Sequence, residues 1–232
     1  MRTRYDNTET KKRILSTCVR LFIEQGFGKT PPKQIFEEAD VSAGTFYHIY
    51  HSKTDVLKDL TDFMFEFQFG VASQIIGEGA SPALLYAVET SIQLALAELN
   101  KNIGEIYVQV YTQPEILEPL MRKISFETQK IFSAYMPECT PSDFYEMEIG
   151  TSGIMRAYMA KDCDIYFTLN KKIERFVRMT LGVYGVPKEQ IYSILSVISK
   201  LDIESIADRV LQKLFAMLEM RFDFKLGDNV KA

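Results

Sequence analysis

Apolar residues recur at helical spacing along most of the chain. Ile14, Leu15, Cys18, Leu21 and Phe22 fall on one stripe, which predicts a helix over residues 8–25 that Gly26 ends. Two short helices are predicted next, about residues 31–38 and 43–49. A long helix follows from Ser52 to about residue 76, with Val56, Leu57, Leu60, Phe63, Met64, Phe67, Val71 and Ile75 on one face. Gly77-Glu78-Gly79 breaks it. Beyond lie helices over about 82–99, 103–112, 115–136, 141–161, 164–184, 187–200 and 202–222. They are opened by Ser81-Pro82, Thr140-Pro141, Pro187 and Asp202, and Pro119 stands in the first turns of the 115–136 helix. No stretch alternates as a strand does, and no repeat or low-complexity segment is present. The expected fold is all-α. A head over residues 1–58 joins a larger helical body over 59–232. Residues 1–7 read as a polar arm, with Arg2 and Arg4 available for phosphates or a minor groove.

The window from Thr30 to Asp55 organises the head. Thr30 and Ser42 are placed as N-caps, and Ser52 with Asp55 has the form of a capping box. Ala39-Asp40-Val41 is a three-residue turn between two short helices, the length a helix-turn-helix uses. Ile35, Ala39, Val41, Phe46 and Ile49 supply a small shared core. Lys33, Ala43, Gly44, Thr45, Tyr47, His48 and Lys53 are left outward. That set suits DNA. The N-terminal residues of the second helix would meet base edges in the major groove. Ala43 and Gly44 let the backbone come close, the hydroxyls of Thr45 and Tyr47 reach phosphates, and Lys33 and Lys53 bring charge.

Residues 12–57 resemble the DNA-binding domain of TetR-family transcriptional regulators. Ile14-Leu15, Leu21-Phe22, Gly26-Phe27, Thr30, Ile35, Ala39, Val41-Ser42, Gly44-Thr45-Phe46-Tyr47, Ser52-Lys53 and Leu57 carry the likeness. It implies a homodimer on a palindromic double-stranded DNA operator, usually a repressor released by a small effector. Lys33, Ala43, Gly44, Thr45, Tyr47, His48 and Lys53 match the family's DNA-contacting positions. Three residues depart from the pattern: Asp40 replaces a turn Gly, Thr54 replaces a Glu, and Phe36 replaces a small Ala. Phe36 has to be housed by a shifted helix or by exposing its ring. The resemblance also implies a ligand cavity in the body. Tyr86, Tyr107, Tyr111, Met121, Phe126 and Tyr158 lie on the helices that would enclose it, with Gln109 and Gln113 as hydrogen-bonding partners. Tyr and Met dominate these candidates, so an apolar or aromatic effector is expected.

Charge fits this division. The chain of 232 residues carries a net −4, yet residues 1–58 sum to +3 and the remainder to −7. The three cysteines, Cys18, Cys139 and Cys163, have no metal-binding or redox spacing, and their odd number argues for a reducing compartment. With no secretory signal and no long apolar run, a cytoplasmic protein away from membranes is expected. No cofactor is called for. The two histidines, His48 and His51, could mimic a metal site with Asp55, but a helix break separates them. No nucleophilic triad or phosphate loop stands out, so an enzyme is not expected. In the last helix Ile203, Ile206, Ala207, Val210, Leu211, Leu214, Met217 and Leu218 form a wide stripe. It suits a dimer contact with a twin helix, or burial within one subunit. The rival readings are a ligand-independent DNA-binding factor and a protein–protein adaptor with a vestigial head.

Overall fold

The computed structural model describes residues 2–68, 71–77 and 79–227. Among them are twelve helices: α1 (Arg2–Gln25), α2 (Pro32–Glu38), α3 (Ala43–Ile49), α4 (Lys53–Gln68), α5 (Val71–Ile76), α6 (Pro82–Leu99), α7 (Lys101–Val110), α8 (Pro114–Phe132), α9 (Pro141–Ala160), α10 (Leu169–Val183), α11 (Lys188–Ile198) and α12 (Ile203–Phe222). No strand occurs among the described residues. The side chains of residues 2–7 and of Phe67 and Val71 lie outside the description, so the roles offered for Arg2 and Arg4 are left there.

Several ends differ from expectation for local reasons. α1 begins at Arg2 rather than at residue 8. No Gly or Pro interrupts its first turns, and extending a helix already anchored by a buried stripe costs little. Thr30 does not cap α2. Its hydroxyl turns back to the Gly26 carbonyl at 2.7 Å, and Pro31 holds the N-cap position with no side-chain bond. α10 starts at Leu169 rather than near residue 164, because the Asp164 carboxylate accepts from the N–H groups of Tyr166 and Phe167, each at 2.8 Å. Thr168 then caps the helix. Pro119 lies inside α8 without ending it, since a proline so near the start removes one ladder bond. Ser42, Ser81, Thr140 and Asp202 cap α3, α6, α9 and α12 as read.

The body is built on α6, which packs against α7, α10 and α12, while α8 lies along α9. The stripe of α12 is used up inside the subunit: Ile203, Ile206, Ala207, Val210, Leu211, Leu214 and Leu218 are all buried in the single chain. They pack chiefly on α6, and Met217 of the same stripe is half-buried. Past α12 the chain turns at Asp223, in the left-handed region at φ 58°, and lies along α1. Ser16 Oγ donates to the Asp223 carbonyl at 3.5 Å, and the Gly227 N–H donates to Glu24 Oε1 at 3.2 Å. Leu226 is buried beneath this contact.

Candidate functional site

The head is fastened by one arginine. Arg20 of α1 reaches Glu24 at 2.8 Å and also pairs with Glu38 of α2, whose other oxygen takes the Gln34 amide at 2.8 Å. Ile35, Ala39 and Phe46 are buried between α1, α2 and α3, with Val41 and Ile49 half-buried beside them. Asp40 takes the left-handed turn at φ 50°, a conformation Asp tolerates better than most residues. Tyr50 also joins this core, its hydroxyl donating to Asp59 at 3.0 Å.

Phe36 is housed without exposing its ring. It is half-buried against α3, 5.1 Å from the Phe46 ring and 5.8 Å from the Tyr47 ring. Along α3, Ala43, Gly44, Tyr47 and His48 are exposed, and Lys33 projects from α2 beside Glu37 at 3.7 Å. Thr45 is half-buried, with its hydroxyl 2.9 Å from Ser42 Oγ.

Lys53 departs from the outward position expected of it. Its ammonium donates to the carbonyls of Phe27 and Thr30, at 2.7 and 3.1 Å, and lies 4.2 Å from the centre of the Phe27 ring. Partial desolvation lowers its pKa, against the opposing pull of Glu105. Lys53 therefore ties the start of α4 to the loop after α1. The cap at that start is shared: Ser52 Oγ accepts from the Asp55 N–H at 3.3 Å, while Asp55 accepts from the His51 N–H at 2.8 Å. Among the described residues no group of three metal-ligating side chains comes together.

The body holds a partly open cavity of about 100 Å³ between α6, α8, α9 and α10. Tyr86, Glu89, Thr90 and Gln93 face it from α6, and Ile124, Glu127, Thr128 and Ile131 from α8. Glu148, Thr151, Ser152 and Met155 come from α9, with Phe176 of α10 and Tyr111 at the end of α7. Glu148 is its buried charge. Tyr184 donates to Glu148 Oε2 at 2.9 Å and Thr151 at 3.2 Å. Tyr184 is itself fixed by stacking on Phe132, centroids 4.5 Å apart. Burial pushes the Glu148 carboxyl up to about 7 despite those two donors. Burial likewise holds the Tyr86 and Tyr111 phenols well above their usual range.

Of the eight effector candidates read from the sequence, Tyr86 and Tyr111 line this cavity. The other six are placed elsewhere. Tyr107 is buried with its hydroxyl unpaired. Gln109 and Gln113 bond each other at 3.4 Å. Met121 accepts from Ser152 Oγ behind the wall, at 3.6 Å. Tyr158 packs on Phe167 and Phe176. Phe126 is exposed and borders a separate surface groove with Arg122 and Tyr145. The acidic and hydroxyl wall of the cavity, Glu148 above all, was not anticipated. A lone Glu facing the same way as Phe144, Thr151 and Met155 on α9 was the signal that could have found it.

Helix α7 joins the two regions. Near its start, Asn102 Nδ2 donates to the Ile23 carbonyl at 2.8 Å, and Glu105 Oε1 accepts from the Gly28 N–H at 2.8 Å. A Cβ at Gly26 or Gly28 would lie 2.6 or 2.7 Å from the Glu105 carboxylate, so this close approach needs both glycines. Tyr111, in the cavity wall, caps the other end of α7.

Known proteins agree with this layout. The sequence model of the family described as bacterial regulatory proteins, tetR family, matches residues 14–60. The uncharacterized HTH-type transcriptional regulator YuxN of Bacillus subtilis (strain 168) is 27% identical over 84 residues, 36% of this chain. That alignment spans only 29% of the relative's own length. The crystal structure of RolR in complex with its ligand resorcinol superposes with a TM-score of 0.65 at 19% identity. It covers 83% of this chain and 96% of that one. No described helix is long and apolar enough to cross a membrane. A head that matches the tetR family model over residues 14–60 thus sits on an all-helical body that shares its fold with RolR.

Proposed function

We propose that the chain is a ligand-responsive transcriptional regulator and not an enzyme. As a homodimer it binds a palindromic operator through α3, acts as a repressor, and releases DNA when a small effector with an apolar or aromatic body enters the cavity. Lys33, Ala43, Gly44, Thr45, Tyr47 and His48 form the reading surface, and Lys53 sets the start of α4 beside it. One observation carries the proposal: α7, about 15 Å long by its ten residues, is bonded to the head at one end and ends in the cavity wall at the other. A ligand against Tyr111 therefore bears on the helix that holds the loop between α1 and α2. Release follows only if the effector binds the two head positions with different affinity. RolR binds resorcinol on a similar fold, which supports a small aromatic effector here. For the homodimer, α12 is already committed within the subunit. The exposed Ile149 of α9 with Met179 and Val183 of α10 are apolar candidates for that contact.

The test is fluorescence anisotropy on the DNA upstream of the chain's own gene, at two salt concentrations, beside Tyr47→Ala. Tight, salt-sensitive binding that the variant loses is the expected result. Equal affinity for random DNA would overturn the reading in favour of an adaptor.

A further inference from the structure

The titratable wall of the cavity, its tyrosines aside, is acidic throughout. Glu89, Glu127 and Glu148 line it, and among the described residues no Lys, Arg or His does. Glu127 is engaged from outside by Lys130 at 2.9 Å. Glu148 forms no ion pair with any described residue, and it is 4% exposed. Both hydroxyls that reach its carboxylate, from Tyr184 and Thr151, bond Oε2. No described residue donates to Oε1, although Glu148 is part of the cavity surface. The rings of Tyr86, Tyr111 and Phe176 border the same space.

A buried carboxylate without a counter-charge is costly, and its cost is relieved by a group bringing both positive charge and an N–H donor. Aromatic faces attract the same kind of group. An anion entering here meets Glu148 with no base to offset it.

We propose that the effector is a small organic cation, an aryl-alkyl amine or a close relative, whose ammonium donates to Glu148 Oε1 while its apolar body lies against Tyr86, Tyr111 and Phe176. This rests on the cavity being the effector site, and it adds a charge to the aromatic class proposed above. Charge selection then resides in one residue, and shape selection in the rings around it.

The test is calorimetric titration of the full chain, above the pH at which Glu148 ionises, with three probes of similar shape: tyramine, 4-ethylphenol and 3-(4-hydroxyphenyl)propionate. Glu148→Gln keeps the shape and the acceptor but removes the charge. Ser152→Met fills the cavity, and circular dichroism checks that both variants fold. Tyramine should bind, lose about tenfold or more in Glu148→Gln, and be excluded by Ser152→Met. The propionate should not bind. A neutral probe that binds as tightly as tyramine, with Glu148→Gln indifferent and Ser152→Met blocking, would overturn the cation and leave the effector site standing. The same holds if the propionate binds best. Failure of all three probes, or binding that Ser152→Met does not affect, would overturn both.

Discussion

The ring of Phe36 meets the ring of Tyr47 edge to face, their centroids 5.8 Å apart at 73°. A side chain of α2 thus braces an exposed tyrosine of α3. Phe46 completes the set, 5.4 Å from Tyr47. The bulk that replaces a small residue at position 36 is part of how α3 is aimed.

Phe36→Ala should therefore cost more than surface area. Removing a half-buried ring with two aromatic partners should destabilise the head by roughly 2 kcal/mol. DNA affinity should fall further than stability alone explains, because Tyr47 loses its brace. Thermal unfolding and DNA anisotropy on the same variant separate the two effects. Unchanged affinity in a folded variant would show that α3 is aimed by Phe46 alone.

Lys53→Met separates a strut from a phosphate contact. The variant keeps the stem but leaves the carbonyls of Phe27 and Thr30 without their donor. A loss of about 1–2 kcal/mol is expected in urea unfolding without DNA. A residue used only on DNA would leave that curve unmoved.

Glu105→Ala should uncouple the two halves. The bond to the Gly28 N–H disappears, while Tyr111 and the cavity wall stay in place. The effector concentration needed for DNA release should rise about fivefold or more, with calorimetric effector affinity within about twofold of the parent. Parallel losses in both assays would mean that Glu105 supports the fold and not the link.

Glu148 makes stability fall as pH rises. Its folded value, about 7, lies above the ordinary carboxyl value of 4.5, so between those limits the unfolded chain has released a proton that the folded chain keeps. Stability from this group should decline from about pH 4.5 to 7 and then level off, by roughly 3 kcal/mol at most. Tyr86, Tyr111 and Tyr184, the phenols that interact with it, stay neutral throughout because burial raises all three. Glu148→Gln should flatten this part of the curve in chemical unfolding across that range.

Local chemistry was readable in the sequence at four helix starts, though not at α10, where Asp164 holds the N–H groups of Tyr166 and Phe167. Ser42, Ser81, Thr140 and Asp202 bond N–H groups three residues on, so α3, α6, α9 and α12 start where the letters place them. Reading failed where two near partners compete or where the partner is distant in sequence. Thr30 could serve either the helix after it or the turn before it, and only packing decides. Lys53 finds acceptors 26 and 23 residues back, in a loop without side-chain signature. The cavity draws on four helices and the end of a fifth, and aromatic richness led toward Tyr107 and Tyr158 in the solid core while its polar wall went unread. The width of the α12 stripe showed how much it buries, but not whether the partner is α6 or a second subunit.

The segment after Asp223 lies along α1, so the last described residues help to hold the first helix. During synthesis the whole helix-turn-helix leaves the ribosome well before that strap exists. A nascent chain therefore presents α1 and α3 before residues 223–227 can pack on α1.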